Sequence, residues 1–255
     1  MGSQTLDKRR IEDRPLWKLL LGLAFFLLSA ASFYLLLHST FFSVREVEVN
    51  GLKNIKPTEV SRLAGVRMGS NIFLLKEKDI AERVVLHPAI ESCRVTRRLP
   101  ATVEINVVER TPLALLPDQT GFMVVDRDGR LLYRVGSLVE TNLPVITGVT
   151  ASQEVFPGDF IGNSSLERFL PVMQKFSPSL TRDIAEIGLK SDEAISIYTL
   201  EKVEIKVGSL EHLDGHLPVL ETIVNQEIKR LSDKPIEYID MSFNGTPVIK
   251  FKQSN

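Results

Sequence analysis

Cysteine and net charge are the two things this chain has least of. Cys93 is the single cysteine in 255 residues, so no intrachain disulfide can form and ordinary cores must hold whatever folds. Lys and Arg number 31 against 32 Asp and Glu, a net charge of −1, which argues against a partner recognised by neutralising phosphates. No phosphate-cradling glycine loop and no serine in a nucleophile-elbow pattern is present, so no catalytic constellation can be assembled from motifs. His212 and His216 stand four apart, but Gly215 lies between them and no third ligand follows at a telling spacing, so a metal site is not expected. Asp126-x-Asp128-Gly129 has the opening of a calcium loop without its later ligands and reads as a hairpin turn. Cys93 has no activating neighbour in sequence and reads as an inert thiol.

What the chain does have is one long uncharged run. Leu19 to Leu37 spans nineteen residues without a charge. As a helix it would measure about 28 Å, close to the roughly 30 Å hydrocarbon thickness of a bilayer. Lys8, Arg9, Arg10, Arg14 and Lys18 precede it, and only Arg45 and Lys53 occur in the next eighteen residues. That bias puts the N-terminus in the cytoplasm and the rest of the chain across the membrane. Trp17 and Tyr34 fall near the two ends, where amphipathic rings favour the interface. The rival is a cleaved leader, with Ser29-Ala30-Ala31 as the small-residue site; the apolar run continues six residues past Ala31, which favours a retained span. The charged tail, residues 1–18, lacks apolar periodicity and is not expected to order over its first fourteen or so residues.

After the span, Val44 to Val49 alternates at strand period and Asn50-Gly51 turns the chain. Pro57 opens a short helix with Val60, Leu63 and Ala64 on one face, and Gly65 stops it. Asn71 to Leu75 is an apolar connector. Lys76 to Leu86 reads as a second helix with Ile80, Val84 and Val85 inward, ended by His87-Pro88. Strands follow at Ile90–Leu99 and Thr102–Glu109. The order β-α-α-β-β predicts helices packed on a three-stranded sheet over residues 42–110.

Residues 111–255 read as a second, β-rich domain with helices. A hairpin turns at Asp128-Gly129, and Leu143–Gly148 is a short apolar stretch. Asn163 is positioned to cap a helix carrying Leu166, Phe169, Leu170 and Met173, which Pro171 should kink or split. Strands are expected at Ile184–Lys190, Ala194–Leu200 and Val203–Val207, and an amphipathic helix over Leu217–Leu231. A strand from Ile236 to Phe243, a two-residue turn at Asn244-Gly245 and a closing strand to Phe251 end the chain. The fold class is α+β with one N-terminal transmembrane helix.

Several segments resemble a known family. Val47-x-Val49-x-Gly51, Pro88-x-Ile90-x-x-Cys93-x-Val95 and the run from Arg98-Leu99-Pro100 to Glu109-Arg110 are similar to a POTRA domain, and more narrowly to that of the bacterial cell-division FtsQ/DivIB family. The pattern Tyr238-x-Asp240-Met241-x-Phe243-x-Gly245 resembles the end of that family's β-domain. The resemblance implies a non-enzymatic divisome scaffold in the inner membrane at the division septum, without cofactor, nucleic acid or small-molecule substrate. It implies partners of the FtsB and FtsL type, which are small single-span proteins, and a binding site on the terminal strands that takes in Tyr238, Asp240, Phe243, Gly245 and Val248. The alternative is that Tyr238 and Met241 fill the core and Asn244-Gly245 only turns the chain. Pro247 is expected to remove a donor from the last strand. The resemblance also implies a septal-targeting role for the POTRA unit, with Val44–Val49 and Lys76–His87 as candidates. A membrane-anchored POTRA chaperone or secretion component is the second function class, although its members carry tandem POTRA units and a long barrel.

Overall fold

A computed structural model describes residues 16–138, 141–151, 154–192, 194–231 and 234–252. Most of the expected N-terminal tail lies outside the described residues. The chain divides into two compact units: one comprises the chain up to Asn50 with Lys56–Ala81 and Arg94–Asn106, the other Gly51–Ile55, Glu82–Cys93 and Val107 onward.

Helix α1 (Leu16–Leu37) carries the apolar run, and the stretch Trp17–Phe42 is long and apolar enough to cross a membrane. Its side chains find no protein cover, which is what a lipid-facing helix requires. Beyond a single 3₁₀ turn (Thr40–Phe42) come β1 (Glu46–Asn50), α2 (Pro57–Ala64), α3 (Glu77–Val85), β2 (Ile90–Arg98) and β3 (Thr102–Glu109). The strand order is β1-β3-β2, with β1 parallel to the central β3. Val103 and Ile105 are fully buried on β3, as are Val60 and Ala64 on α2. Pro57 stands in the first turn of α2, and Gly65 closes it at φ +60°, a left-handed position that costs glycine little. On α3, Ile80 and Val84 are buried but Val85 is 40% exposed. Positions 80 and 84 stack along one face; Val85 lies about 100° further round and faces solvent, contrary to the sequence expectation.

The second unit holds a nine-stranded sheet: β4 (Pro112–Asp118), β5 (Gly121–Asp126), β6 (Leu131–Val135), β7 (Val145–Thr147), β8 (Ile184–Leu189), β9 (Ile195–Thr199), β10 (Glu204–Gly208), β11 (Ile236–Asp240) and β12 (Val248–Phe251). Their spatial order is β12-β11-β10-β9-β8-β7-β4-β5-β6. Ile187, Ile197, Ile205 and Ile239 are fully buried and belong to the core that the helices share. Those helices are α4 (Ser164–Met173), α5 (Pro178–Asp183), α6 (Leu210–Gly215) and α7 (Leu217–Thr222), the last running through a π turn (Ile223–Glu227) into α8 (Ile228–Arg230). Asn163 caps α4 by accepting from the Ser165 and Leu166 N–H groups. Pro171 does not split α4, which ends only two residues later, at Met173.

Candidate partner-binding edge

The two edges of the nine-stranded sheet are finished differently. Along β6 a loop runs as a cover. The Leu131 N–H donates to the Asp159 carbonyl at 2.9 Å, and the Gly158 N–H donates to the Leu131 carbonyl at 2.7 Å. Arg130 lays its guanidinium over the Phe160 ring at 3.9 Å and donates to the Gly158 carbonyl at 2.7 Å. Arg134 donates to the Val155 carbonyl and to Asp118. At the other end β12 is the last strand, and among the described residues no strand pairs with its outer side. An uncovered row of backbone donors and acceptors is a template for another extended chain.

The antiparallel β11–β12 pair opposes Asp240 to Val248 and Tyr238 to Lys250, while β10 lies parallel to β11 with Glu204 beside Tyr238 and Lys206 beside Asp240. Since side chains alternate, one face of this corner carries Tyr238, Asp240, Val248, Lys206 and Lys250. The Lys206 ammonium sits 3.9 Å from the centre of the Tyr238 ring and that of Lys250 5.2 Å away. The same row continues inward as Glu204, Tyr198 and Glu186. The Tyr198 hydroxyl donates to Glu204 at 3.0 Å; burial first, then Glu204, pushes its phenol pKa up and keeps it a donor.

On the opposite side of β12 an apolar groove of about 410 Å³ opens, lined by Val219, Ile223, Ile239, Pro247 and Ile249 among others. An extended chain beside β12 would thus meet, with one set of side chains, a face of mixed charge around the Tyr238 ring, where Lys250 pairs with Glu237 at 3.2 Å, and with the other an apolar groove.

The link between the strands departs from expectation. β11 ends at Asp240, and no two-residue hairpin forms. Asp240 turns the chain by accepting from the Ser242 N–H at 3.0 Å and the Ser242 hydroxyl at 2.7 Å. Those two bonds, led by the backbone one and aided by Lys206, hold its carboxyl below the ordinary aspartate range. Met241 is buried, and its N–H donates to the Lys206 carbonyl at 2.9 Å. Gly208, at φ +86°, admits this loop: a Cβ there would stand 3.0 Å from the Ser242 Cβ. Phe243 is therefore displayed from a braced loop, 43% exposed, with Gly245 against its ring. Pro247 precedes β12 and so takes no donor from the ladder, contrary to the sequence expectation.

Of the five expected contact residues, Tyr238, Asp240 and Val248 share one face, and Phe243 and Gly245 sit on the adjoining loop. Met241 is core; Tyr238 is not. Sequence reasoning missed Lys206, Lys250 and the exposed Phe251, because their place depends on strand register.

The other motifs resolve as turns and packing. Asp126 accepts from the Asp128 and Arg130 N–H groups, which closes the hairpin, and pairs with Arg110 at 2.9 Å. His212 and His216 stack at 4.0 Å across the α6–α7 junction, and among the described residues no group of three or more potential ligands gathers for a metal. Burial pushes the Cys93 thiol pKa up, away from a reactive thiolate.

Comparison with known proteins agrees with this architecture. Residues 42–110 match the POTRA domain of FtsQ type, and residues 114–242, half of the chain, match the C-terminal domain of cell division protein FtsQ/DivIB. The second match stops before Phe243, Gly245 and Val248. Cell division protein FtsQ of Geotalea daltonii is 27% identical over 218 residues, covering 83% of this chain and 77% of its own. Cell division protein DivIB of Clostridium botulinum strain Loch Maree is 24% identical over 213 residues, covering 82% and 81%. A solved structure of the major extracytoplasmic domain of the trans isomer of DivIB from Geobacillus stearothermophilus is 16% identical, with a TM-score of 0.32, covering 46% of this chain and 96% of that one. The chain belongs to the FtsQ/DivIB family of bacterial cell division proteins.

Proposed function

We propose that this protein is a non-enzymatic scaffold of the division machinery that captures an extended segment of a small single-span division protein, of the FtsB or FtsL type, on β12. The observation that carries the reading is the asymmetry of one sheet: β6 is covered by its own loop, and among the described residues no strand pairs with the outer side of β12. Main-chain pairing would supply affinity and the two flanking surfaces selectivity. The strand that fits alternates apolar residues toward Ile239 and Ile249 with polar or aromatic ones toward the mixed-charge face around Tyr238, Lys206 and Asp240. Tyr238, Asp240, Phe243, Gly245 and Val248 form the contact set. The N-terminus lies in the cytoplasm and both folded units outside it, in the periplasm of a two-membrane cell, on the positive-inside bias of Lys8 to Lys18. The POTRA unit, residues 42–110, serves septal targeting, and residues 111–255 serve partner capture.

Phe243→Asp tests the site. Binding of the partner's extracytoplasmic segment should fall by about 30-fold or more, the loss of a buried aromatic anchor plus an unpaired charge. The urea midpoint should hold, because Phe243 is not in the core. Unchanged binding removes the site. In cells, an N-terminal fluorescent fusion should band at mid-cell, and depletion should give filaments. Uniform envelope signal with normal division would instead favour the secretion or chaperone class.

A further inference from the structure

A second surface, at the foot of the membrane helix, calls for a different partner. α1 has 22 residues, about 33 Å of helix, so its last turn reaches the edge of a roughly 30 Å hydrocarbon layer. The Leu37 carbonyl, one of the orphan acceptors at that end, takes a hydrogen bond from Asn71 Nδ2 at 2.6 Å. Asn71 belongs to the loop between α2 and α3, so this loop sits at the depth of the helix end. Further bonds fix it there. The Val44 N–H donates to the Ser70 carbonyl and the Gly69 N–H to the Val44 carbonyl, both at 2.8 Å, and Ser43 bridges Asn71. Asn71 also accepts from the Phe73 N–H at 2.9 Å, shaping the 3₁₀ turn Ile72–Leu74.

This bolted junction shows water an apolar collar. Leu74 is 72% exposed, Met68 60%, Phe41 54% and Phe73 36%. Phe42 joins them, with its ring centre 5.0 Å from those of both Phe41 and Phe73. Exposed Arg45, Arg67 and Lys76 belong to the same segments. Apolar side chains beside cations, level with the end of a membrane helix, have the composition of an interfacial contact. We infer that Phe41, Phe42, Met68, Phe73 and Leu74 insert into the bilayer interface on the C-terminal side of the span. There they fix how the first unit stands on the membrane, with Arg45, Arg67 and Lys76 available to lipid phosphates. The occupant is lipid because only His38, Ser39 and Thr40 separate the end of α1 from Phe41, and the depth of the collar is set by the Leu37–Asn71 bond.

The inference rests on α1 spanning the bilayer, and the test separates the two. The full chain, with Cys93→Ser and one cysteine introduced as Leu74→Cys, Met68→Cys or Asn50→Cys, is labelled with a polarity-sensitive fluorophore and reconstituted into phosphatidylcholine–phosphatidylglycerol vesicles. Asn50, exposed at the far end of β1, is the aqueous control. Labels at positions 74 and 68 should emit at shorter wavelength than the label at 50, and lipids brominated near the carbonyls should quench only those two. Water-like emission at all three in chains that float with the vesicles overturns the collar and leaves the anchor standing. Chains that do not float overturn both. Emission that shifts only when a division partner is added makes the patch a protein interface and overturns the lipid assignment.

Discussion

β6 and β12 end the same sheet, yet β6 is covered by a loop of its own chain, while among the described residues no strand pairs with the outer side of β12. At β6 the cover is built from backbone bonds to Asp159 and Gly158 and from arginines that reach over the loop. On and just before β12 the apolar residues Phe243, Val248 and Phe251 are exposed. A protein that protected both edges would be better guarded against aggregation. Leaving one open, beside a braced loop and an apolar groove, is what strand capture needs. The lesson is that stability and binding should separate by edge, and substitutions can test that separation.

The largest effect belongs to the hairpin that leads into the closed edge. Asp126 has a side chain only 2% exposed, and its cation partner is Arg110 at 2.9 Å. Arg110→Ala would leave that carboxylate buried and unpaired, costing about 3–5 kcal/mol of stability. Urea unfolding should show the loss, and Asp126→Asn in the same chain should recover part of it. Equal midpoints for Arg110→Ala and the parent would mean that the pair contributes nothing.

A smaller, sharper test compares the edges directly. Arg130→Ala removes the cation over Phe160 and the bond to the Gly158 carbonyl. About 1–2 kcal/mol of stability should go, with partner affinity unchanged. Phe243→Asp should do the reverse. If Arg130→Ala weakens partner binding as strongly as Phe243→Asp does, the division between a structural and a binding edge fails.

Much of this was legible in the sequence, and the parts that were not share a cause. Pro57 and Gly65 mark the ends of α2, Asn163 marks the start of α4, and the alternation in Val103, Ile105 and Val107 marks β3, because each signal is local. Periodicity tells which face a residue takes but not which strand lies alongside. The parallel pairing of β10 with β11 crosses α6, α7, the π turn and α8, and it alone brings Lys206 to Tyr238. β7 lies between β4 and β8 in the same hidden way. Asn244-Gly245 misled because Asp240 and Ser242 end β11 before that dipeptide is reached. Which edge is covered could not be read either, since it depends on where the loop at 155–161 folds back.

The smallest expected effect comes from Glu109, far from either edge in sequence and useful as a control on electrostatics. Its carboxylate accepts from the Lys53, Asn54 and Ile55 N–H groups at 2.7 to 3.0 Å. Desolvation raises its pKa, but those backbone donors and the Asn54 side chain outweigh it, so the net displacement is below the ordinary glutamate range. A folded pKa depressed in this way contributes stability that is complete above the unfolded value and fades as pH falls through the folded one. Glu109→Gln should therefore be less stable than the parent at about pH 7, by only ~0.5–1 kcal/mol because solvent screens the group, and the gap should close as pH falls through the folded pKa. Partner affinity at neutral pH should not move. A gap that persists unchanged at low pH would assign the loss to packing and remove the carboxylate from the account of how Lys53 to Ile55 are held.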